Sequence, residues 1–86
     1  MPEIKIYTQP GCPFCRRAVA LLESKNIPFT EVNAPRGTAE REEAIALSGG
    51  QTTVPQTFVD GKALGGCDDL MRLERTGQLN GLLGLG

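Results

Sequence analysis

Near the start of the chain Ile4 and Ile6 alternate with Lys5 and Tyr7, the period of two that marks a strand, and the run ends at the turn residues Gln9-Pro10-Gly11. The period then changes. Cys15, Ala18, Val19 and Leu22 recur at i, i+3, i+4 and i+7, one apolar helical stripe, with Arg16, Arg17, Glu23 and Lys25 largely outside it. The spacing predicts a helix that stops near Asn26, closed by Pro28, and a second alternating strand over Phe29-Thr30-Glu31-Val32. Strand, helix and strand in that order predict a right-handed parallel crossover, with the helix packed on one face of a sheet.

Downstream, Asn33 to Gly37 is turn chemistry, Thr38 is a good N-cap, and Glu40 to Leu47 reads as a helix with a short apolar face, ended by Ser48-Gly49-Gly50. Pro55 is expected to start the next strand, Thr57-Phe58-Val59, and Asp60-Gly61 is a hairpin turn into Lys62-Ala63-Leu64. Gly65-Gly66 breaks that strand. A final helix beginning at or beside Cys67 carries Leu70, Met71 and Leu73 on one side and Arg72, Glu74 and Arg75 on the other, and Gly77 ends it. The tail, Gln78 to Gly86, sets Leu79, Leu82, Leu83 and Leu85 among glycines and reads as a cap over one edge of the core.

Eighty-six residues without a repeat or an internal boundary suit a single domain, residues 1–86, of ordinary globular composition: 40% apolar, 22% charged, net charge −1. The mixed charges offer no electrostatic footprint for nucleic acid or an anionic membrane. The start Met1-Pro2-Glu3 does not resemble a signal peptide, and no run approaches the roughly 18 apolar residues of a membrane span. A cytoplasmic monomer is expected. Histidine is missing altogether, so Ser-His-Asp and Cys-His nucleophilic pairs, Cys2His2 fingers and HExxH sites are excluded. Three cysteines, odd and few, argue against a secreted disulfide framework and for a reducing compartment.

Two of those cysteines fall in Cys12-Pro13-Phe14-Cys15, at the junction from strand through turn to helix. A helix start carries free amides and about half a positive charge, which favours a thiolate at Cys12; cysteines so placed reach pKa values of about 3.5 to 7.5. Pro13 suits the first helical position, where its missing N–H costs nothing. Residues three apart on a helix have Cβ atoms about 5 to 6 Å apart, whereas a disulfide wants about 3.5 to 4.5 Å. A bridge here would tighten the turn and be more easily reduced than a structural one. Half a zinc site and an inert structural bridge are the alternatives; zinc would have to find its partners in Cys67 and carboxylates. Placed after a strand and before a helix, the pair reads as redox-active, with Cys12 the nucleophile and Cys15 the resolving thiol.

Three separated segments, in order, then carry a resemblance: Ile6-Tyr7-Thr8 leading into Cys12-Pro13-Phe14-Cys15-Arg16-Arg17, Thr52-Thr53-Val54-Pro55-Gln56, and Gly65-Gly66-Cys67-Asp68-Asp69-Leu70. With them the chain from Ile4 to Leu83 resembles the small dithiol glutaredoxins of bacteria. The resemblance implies an α/β, thioredoxin-like fold, a four-stranded mixed sheet with three helices packed on its two faces. It also implies glutathione as co-substrate and no tightly bound cofactor or metal.

Site roles follow from it residue by residue. Pro55 would be cis and face the dithiol, Val54 would pair its backbone with the cysteinyl backbone of glutathione like a short antiparallel strand, and Thr53 and Phe14 would complete that wall. The Gly66 turn would expose the amides of Cys67 and Asp68 to the γ-glutamyl carboxylate, and Asp68 would take the adjacent amine. Either Asp68 or Asp69 alternatively complements the helix dipole. Arg41 would reach the glycyl carboxylate, its alternative being a solvated helix charge. Gln9 stands where the family usually has a lysine and would hydrogen-bond that carboxylate without pairing with it, so Arg16 is expected to supply part of the field at Cys12. Cys67 reads as a small buried helix-start residue, or as a regulatory thiol.

The resulting expectation is a glutathione-dependent thiol-disulfide oxidoreductase acting on protein disulfides and glutathionylated proteins. A redoxin reduced directly by thioredoxin reductase would show another motif in place of Gly65-Gly66-Cys67-Asp68-Asp69. An iron-sulfur carrier, holding a cluster between two protomers through Cys12 and glutathione, usually departs from Pro13-Phe14-Cys15.

Overall fold

The computed structural model describes residues 2–85. Strand β1 (Ile4–Thr8) leads into helix α1 (Pro13–Ser24), then β2 (Thr30–Asn33), α2 (Ala39–Leu47), β3 (Gln56–Val59), β4 (Lys62–Gly65), α3 (Cys67–Arg75) and a single-turn α4 (Leu79–Leu82). The strands lie in the order β2-β1-β3-β4. β1 runs parallel to β2, with Ile6 opposite Glu31, and antiparallel to β3, with Ile6 opposite Thr57. β3 and β4 form the antiparallel hairpin. Its turn places Asp60 at φ 50° and Gly61 at φ 80°, the paired positive values that an Asp-Gly hairpin turn supplies at least cost.

Alternation along the strands divides the core in two. On one face Ile4, Ile6 and Val59 meet Ala18, Val19 and Leu22 of α1, Leu70 of α3, and Leu79 and Leu83 of the tail. The whole expected stripe of α1 is buried, Cys15 included. On the other face Tyr7 and Phe58 meet Ala34 and Ala44 under α2, the two rings edge to face with centroids 5.4 Å apart. Tyr7 donates its hydroxyl to Glu43 on α2, and burial with that carboxylate pushes the phenol up to about 12. The sheet is therefore covered by α1 and α3 on one side and by α2 on the other.

Thr38 caps α2 as expected, its hydroxyl accepting from the Arg41 amide at 3.2 Å. Two expectations need correction. Pro55 stands just outside β3, which begins at Gln56. The tail is part of the core rather than a cap over its edge: α4 makes a fourth helix, and Leu79 and Leu83 are fully buried. Gly81 and Gly84 hid this turn, since each glycine costs about 1 kcal/mol of helix propensity against alanine. Burial of two leucines four apart holds a turn that local propensity would not.

Truncating Leu22 to alanine should cost about 2 to 5 kcal/mol. Truncating the exposed Leu47 should shift stability by no more than about 0.5 kcal/mol. Urea unfolding of the two variants checks this, and equal losses would contradict the division of the core.

Candidate active site

β1 ends at Thr8 and hands the chain to a turn in which Gly11 sits at φ 70°, open to glycine without strain. Cys12 follows in an extended conformation as the N-cap of α1, with Pro13 in the first turn. Its carbonyl accepts from Arg16 N at 3.1 Å, and its sulfur accepts from Cys15 N at 3.2 Å. A sulfur occupies the place where serine or aspartate usually satisfies the first amides of a helix, at the positive end of its macrodipole.

Cys15 lies one turn along, buried, in the middle of the α1 stripe. Burial first, and its hydrogen bond with Cys12 second, push its thiol up to about 12, so it stays protonated at neutral pH. The pair is thus divided by environment: one sulfur sits at the helix mouth, the other in the core. Arg16 provides less than expected. Its guanidinium is engaged by Glu31, whose carboxylate also accepts from the Thr8 hydroxyl at 2.6 Å, and those contacts hold Glu31 below its usual range. What reaches Cys12 from this side is the field of an ion pair.

Across from the dithiol the Val54-Pro55 peptide bond is cis, as the resemblance implied, and the Val54 carbonyl oxygen stands 4.0 Å from Cys12 Sγ. Beside it opens a cavity of about 320 Å³. Phe14 forms one wall, Thr53, Val54 and Pro55 the floor, and Gly66, Cys67 and Asp68 the far end. Phe14 is half exposed, as a wall at a groove mouth must be. At that far end the two aspartates separate. Asp69 Oδ2 accepts from Gly66 N at 3.0 Å and its Oδ1 from Arg72 at 3.0 Å, so Asp69 closes the start of α3. Asp68 is exposed. Cys67 is buried, and burial raises its thiol, with Arg17 opposing.

Gln9 and Arg41 lie elsewhere. Arg41 is 5% exposed, not the solvated charge that was its alternative. Its guanidinium donates to the Thr52 carbonyl at 2.9 Å and 3.2 Å, to the Ala34 carbonyl at 2.9 Å, and to Gln9 Oε1 at 2.9 Å. It thereby ties the turn before Cys12 to the loop before Pro55. Among the described residues no carboxylate pairs with it. It borders a second opening with Arg36, which shares Thr53 with the first. A cation in the first turn of a helix opposes the dipole, and these acceptors hold it there. Three residues, Gln51, Gln56 and Asp69, line the groove although sequence reasoning gave them no place in its wall. Only Asp69, third in its helix after a glycine, carried a readable signal.

A model of the glutaredoxin family matches residues 4–64. The chain belongs to the glutaredoxin family. It is 49% identical over 83 residues to Glutaredoxin 3 of Escherichia coli strain K12, covering 96% of this chain and 99% of that one. The solution structure of a glutaredoxin from Brucella melitensis superposes with a TM-score of 0.84 at 45% identity, over 100% of this chain and 92% of that one. A further glutaredoxin structure, reported under "Metal Binding of Glutaredoxins", matches at 43% identity and a TM-score of 0.70, over 96% of this chain and 89% of its own. The fold is accordingly thioredoxin-like, and the family's chemistry, thiol-disulfide oxidoreduction, is this chain's. No helix among the described residues of this glutaredoxin is long and apolar enough to cross a membrane.

Brief treatment of the folded, reduced glutaredoxin with iodoacetamide at pH 7.5 should modify Cys12 alone, since Cys15 is buried and its thiol lies near 12. Peptide mass spectrometry reads the sites; equal labelling of Cys12 and Cys15 would contradict the division of the pair. Arg41→Leu strips donors from the Thr52 and Ala34 carbonyls, at about 1 to 3 kcal/mol for each buried acceptor left unpaired. Denaturant unfolding should show that loss, and Arg36→Leu should not.

Proposed function

We propose that this glutaredoxin is a glutathione-dependent thiol-disulfide oxidoreductase of a reducing, cytoplasmic setting, acting as a monomer on protein disulfides and on glutathione mixed disulfides. The observation that carries the reading is the sulfur of Cys12 at the N-cap of α1, 4.0 Å from the Val54 carbonyl at the edge of the groove. The exposed backbone before Pro55 suits strand-like pairing with a short peptide. At the other end the first amides of α3 suit a carboxylate, and Asp68 suits an amine beside it. Arg41, charged and held by neutral acceptors, suits the glycyl carboxylate through the opening it shares with Thr53, with Gln9 adding a neutral contact.

The chemistry balances without a further cofactor. With a glutathionylated protein, the Cys12 thiolate attacks the glutathione sulfur; the Cys12–glutathione disulfide forms and the protein leaves as thiolate, taking a proton from solvent. A second glutathione thiolate attacks that disulfide at the glutathione sulfur, releasing oxidised glutathione and Cys12 thiolate. With a protein disulfide, Cys12 forms a mixed disulfide with the target. Cys15 then gives up its proton, attacks the Cys12 sulfur and frees the second target thiol. Two glutathione molecules reduce the Cys12–Cys15 bond. Because the Cys15 thiol is pushed up to about 12, its attack requires proton loss during resolution rather than a standing thiolate.

A second reading draws on the relative reported under metal binding. Among the described residues no group of three metal-ligating side chains lies together, so a cluster would be shared between two protomers through Cys12 and glutathione. Anaerobic reconstitution yielding a stable cluster-bridged dimer would establish it.

Cys12→Ser should abolish exchange with every disulfide. Cys15→Ser should keep reduction of glutathione mixed disulfides and slow reduction of protein disulfides by more than about tenfold, about 1.4 kcal/mol in barrier. Glutathione with glutathione reductase should sustain turnover; turnover with thioredoxin reductase alone would overturn the assignment, and full protein-disulfide activity in Cys15→Ser would overturn internal resolution.

A further inference from the structure

β3 begins with Gln56, a glutamine 2% exposed in a strand whose other members are Thr57, Phe58 and Val59. Its Oε1 is a buried side-chain acceptor without a hydrogen-bond partner among the described residues. An acceptor left so costs about 1 to 3 kcal/mol, and an apolar side chain of the same shape would avoid it. A cost of this kind persists where a ligand makes use of the group.

The position of Gln56 says which part of a ligand that would be. The groove beside Cys12 continues past the start of α3 into a further opening of about 300 Å³ between the end of α2 and β4, distinct from the one that Arg41 borders, and Gln56 lines both the groove and this opening. Its Nε2 lies 4.0 Å from where a Cβ on Gly66 would stand, so the amide sits against the N-cap of α3. In a γ-glutamyl group the α-carboxylate and α-ammonium are borne on one carbon. If the carboxylate sits on the first amides of α3, the ammonium falls within a few ångströms, beside Asp68 and Gln56. Asp69 is spent on Gly66 N and Arg72. An ammonium carries three donors and needs more than one acceptor when it leaves water.

We propose that Gln56 is a further substrate-binding residue of this groove: its side-chain oxygen accepts a hydrogen bond from the α-ammonium of the γ-glutamyl end of glutathione, alongside Asp68. The assignment rests on the reading that glutathione occupies the groove. Nε2 is the atom that lies against the N-cap of α3, and a half-turn about the last side-chain torsion, which is broad for an amide, exchanges it with the oxygen, bringing the acceptor to the cavity side and the NH2 group inward. A neutral acceptor suits the place better than a carboxylate would. It carries no charge to desolvate at a buried position, and it does not repel the ligand carboxylate beside it.

The test is carried out on the full chain in a Cys15→Ser background, where a Cys12 mixed disulfide cannot resolve internally. The equilibrium constant for exchange of Cys12 with glutathione disulfide is measured by mass spectrometry. It is measured again with the disulfide of the analogue whose γ-glutamyl residue is replaced by butyryl, which lacks both the α-amino and the α-carboxyl group, and with that of the glutaryl analogue, which lacks the amino group alone. Gln56→Leu should lower the constant about tenfold for glutathione, about 1.4 kcal/mol, and leave both analogues unchanged. Its thermal midpoint should equal or exceed that of the parent, because an unpaired buried acceptor is gone; Gln56→Met, nearer in shape, repeats both measurements. Equal losses with all three disulfides, no loss with glutathione, or a lowered midpoint in both variants would overturn the role of Gln56 and leave glutathione use intact. A parent that prefers glutathione disulfide no more than hydroxyethyl disulfide would overturn the glutathione reading itself, and Gln56 with it.

Discussion

The first amides of α1 need an acceptor, and the chain offers them the sulfur of Cys12. Much else in the active site follows from that one cap. It sets Cys12 at the mouth of the helix, beside the partial positive charge of its first amides. It also sends the next cysteine one turn inward, onto the face that α1 buries against the sheet. The asymmetry between the two thiols is thus a consequence of helix geometry: the residue that ends the turn lies at the helix mouth, and the residue three later belongs to the core stripe with Ala18, Val19 and Leu22.

A cap alone does not make a binding groove. The second wall is the loop before Pro55, and Arg41 holds the two walls together from within, its guanidinium reaching the Thr52 carbonyl on one side and Gln9 on the other. A buried cation satisfied by carbonyl and amide oxygens keeps its charge available to an anion nearby. Arg16 illustrates the contrary arrangement: exposed, and already matched by Glu31. With histidine missing and Arg16 paired, the local field at Cys12 is chiefly that of the helix start.

At the far end of the groove, adjacent residues of like chemistry take different tasks. Asp69 closes α3 by accepting from Gly66 N, while Asp68 is left exposed on the wall. Gln56 bears the opposite imbalance, buried with an acceptor that the protein itself does not satisfy. On the proposed reading, this end of the groove would offer acceptors for an amine next to backbone amides for a carboxylate.

Local pattern was enough for most of the architecture. The stripe Cys15, Ala18, Val19, Leu22, the Thr38 cap, the Asp60-Gly61 turn and the Gly66-Cys67 helix start are all short-range signals, each enforced by backbone sterics or by the period of a helix or strand, and each is found where those signals place it. The Cys12-Pro13-Phe14-Cys15 pair was legible for the same reason, since its chemistry depends on position within one helical turn. The cis bond at Pro55 came through the family resemblance, because a strand-start proline has no local mark of its isomer. What only the tertiary structure decided are the pairings between residues far apart in sequence: Arg41 with Gln9 and Thr52, Asp69 rather than Asp68 as the cap of α3, Gln56 against Gly66, and Leu79 and Leu83 inside the main core. Burial and hydrogen-bond satisfaction are properties of the packed whole, and a residue's periodicity says which face it occupies but not what will be opposite it.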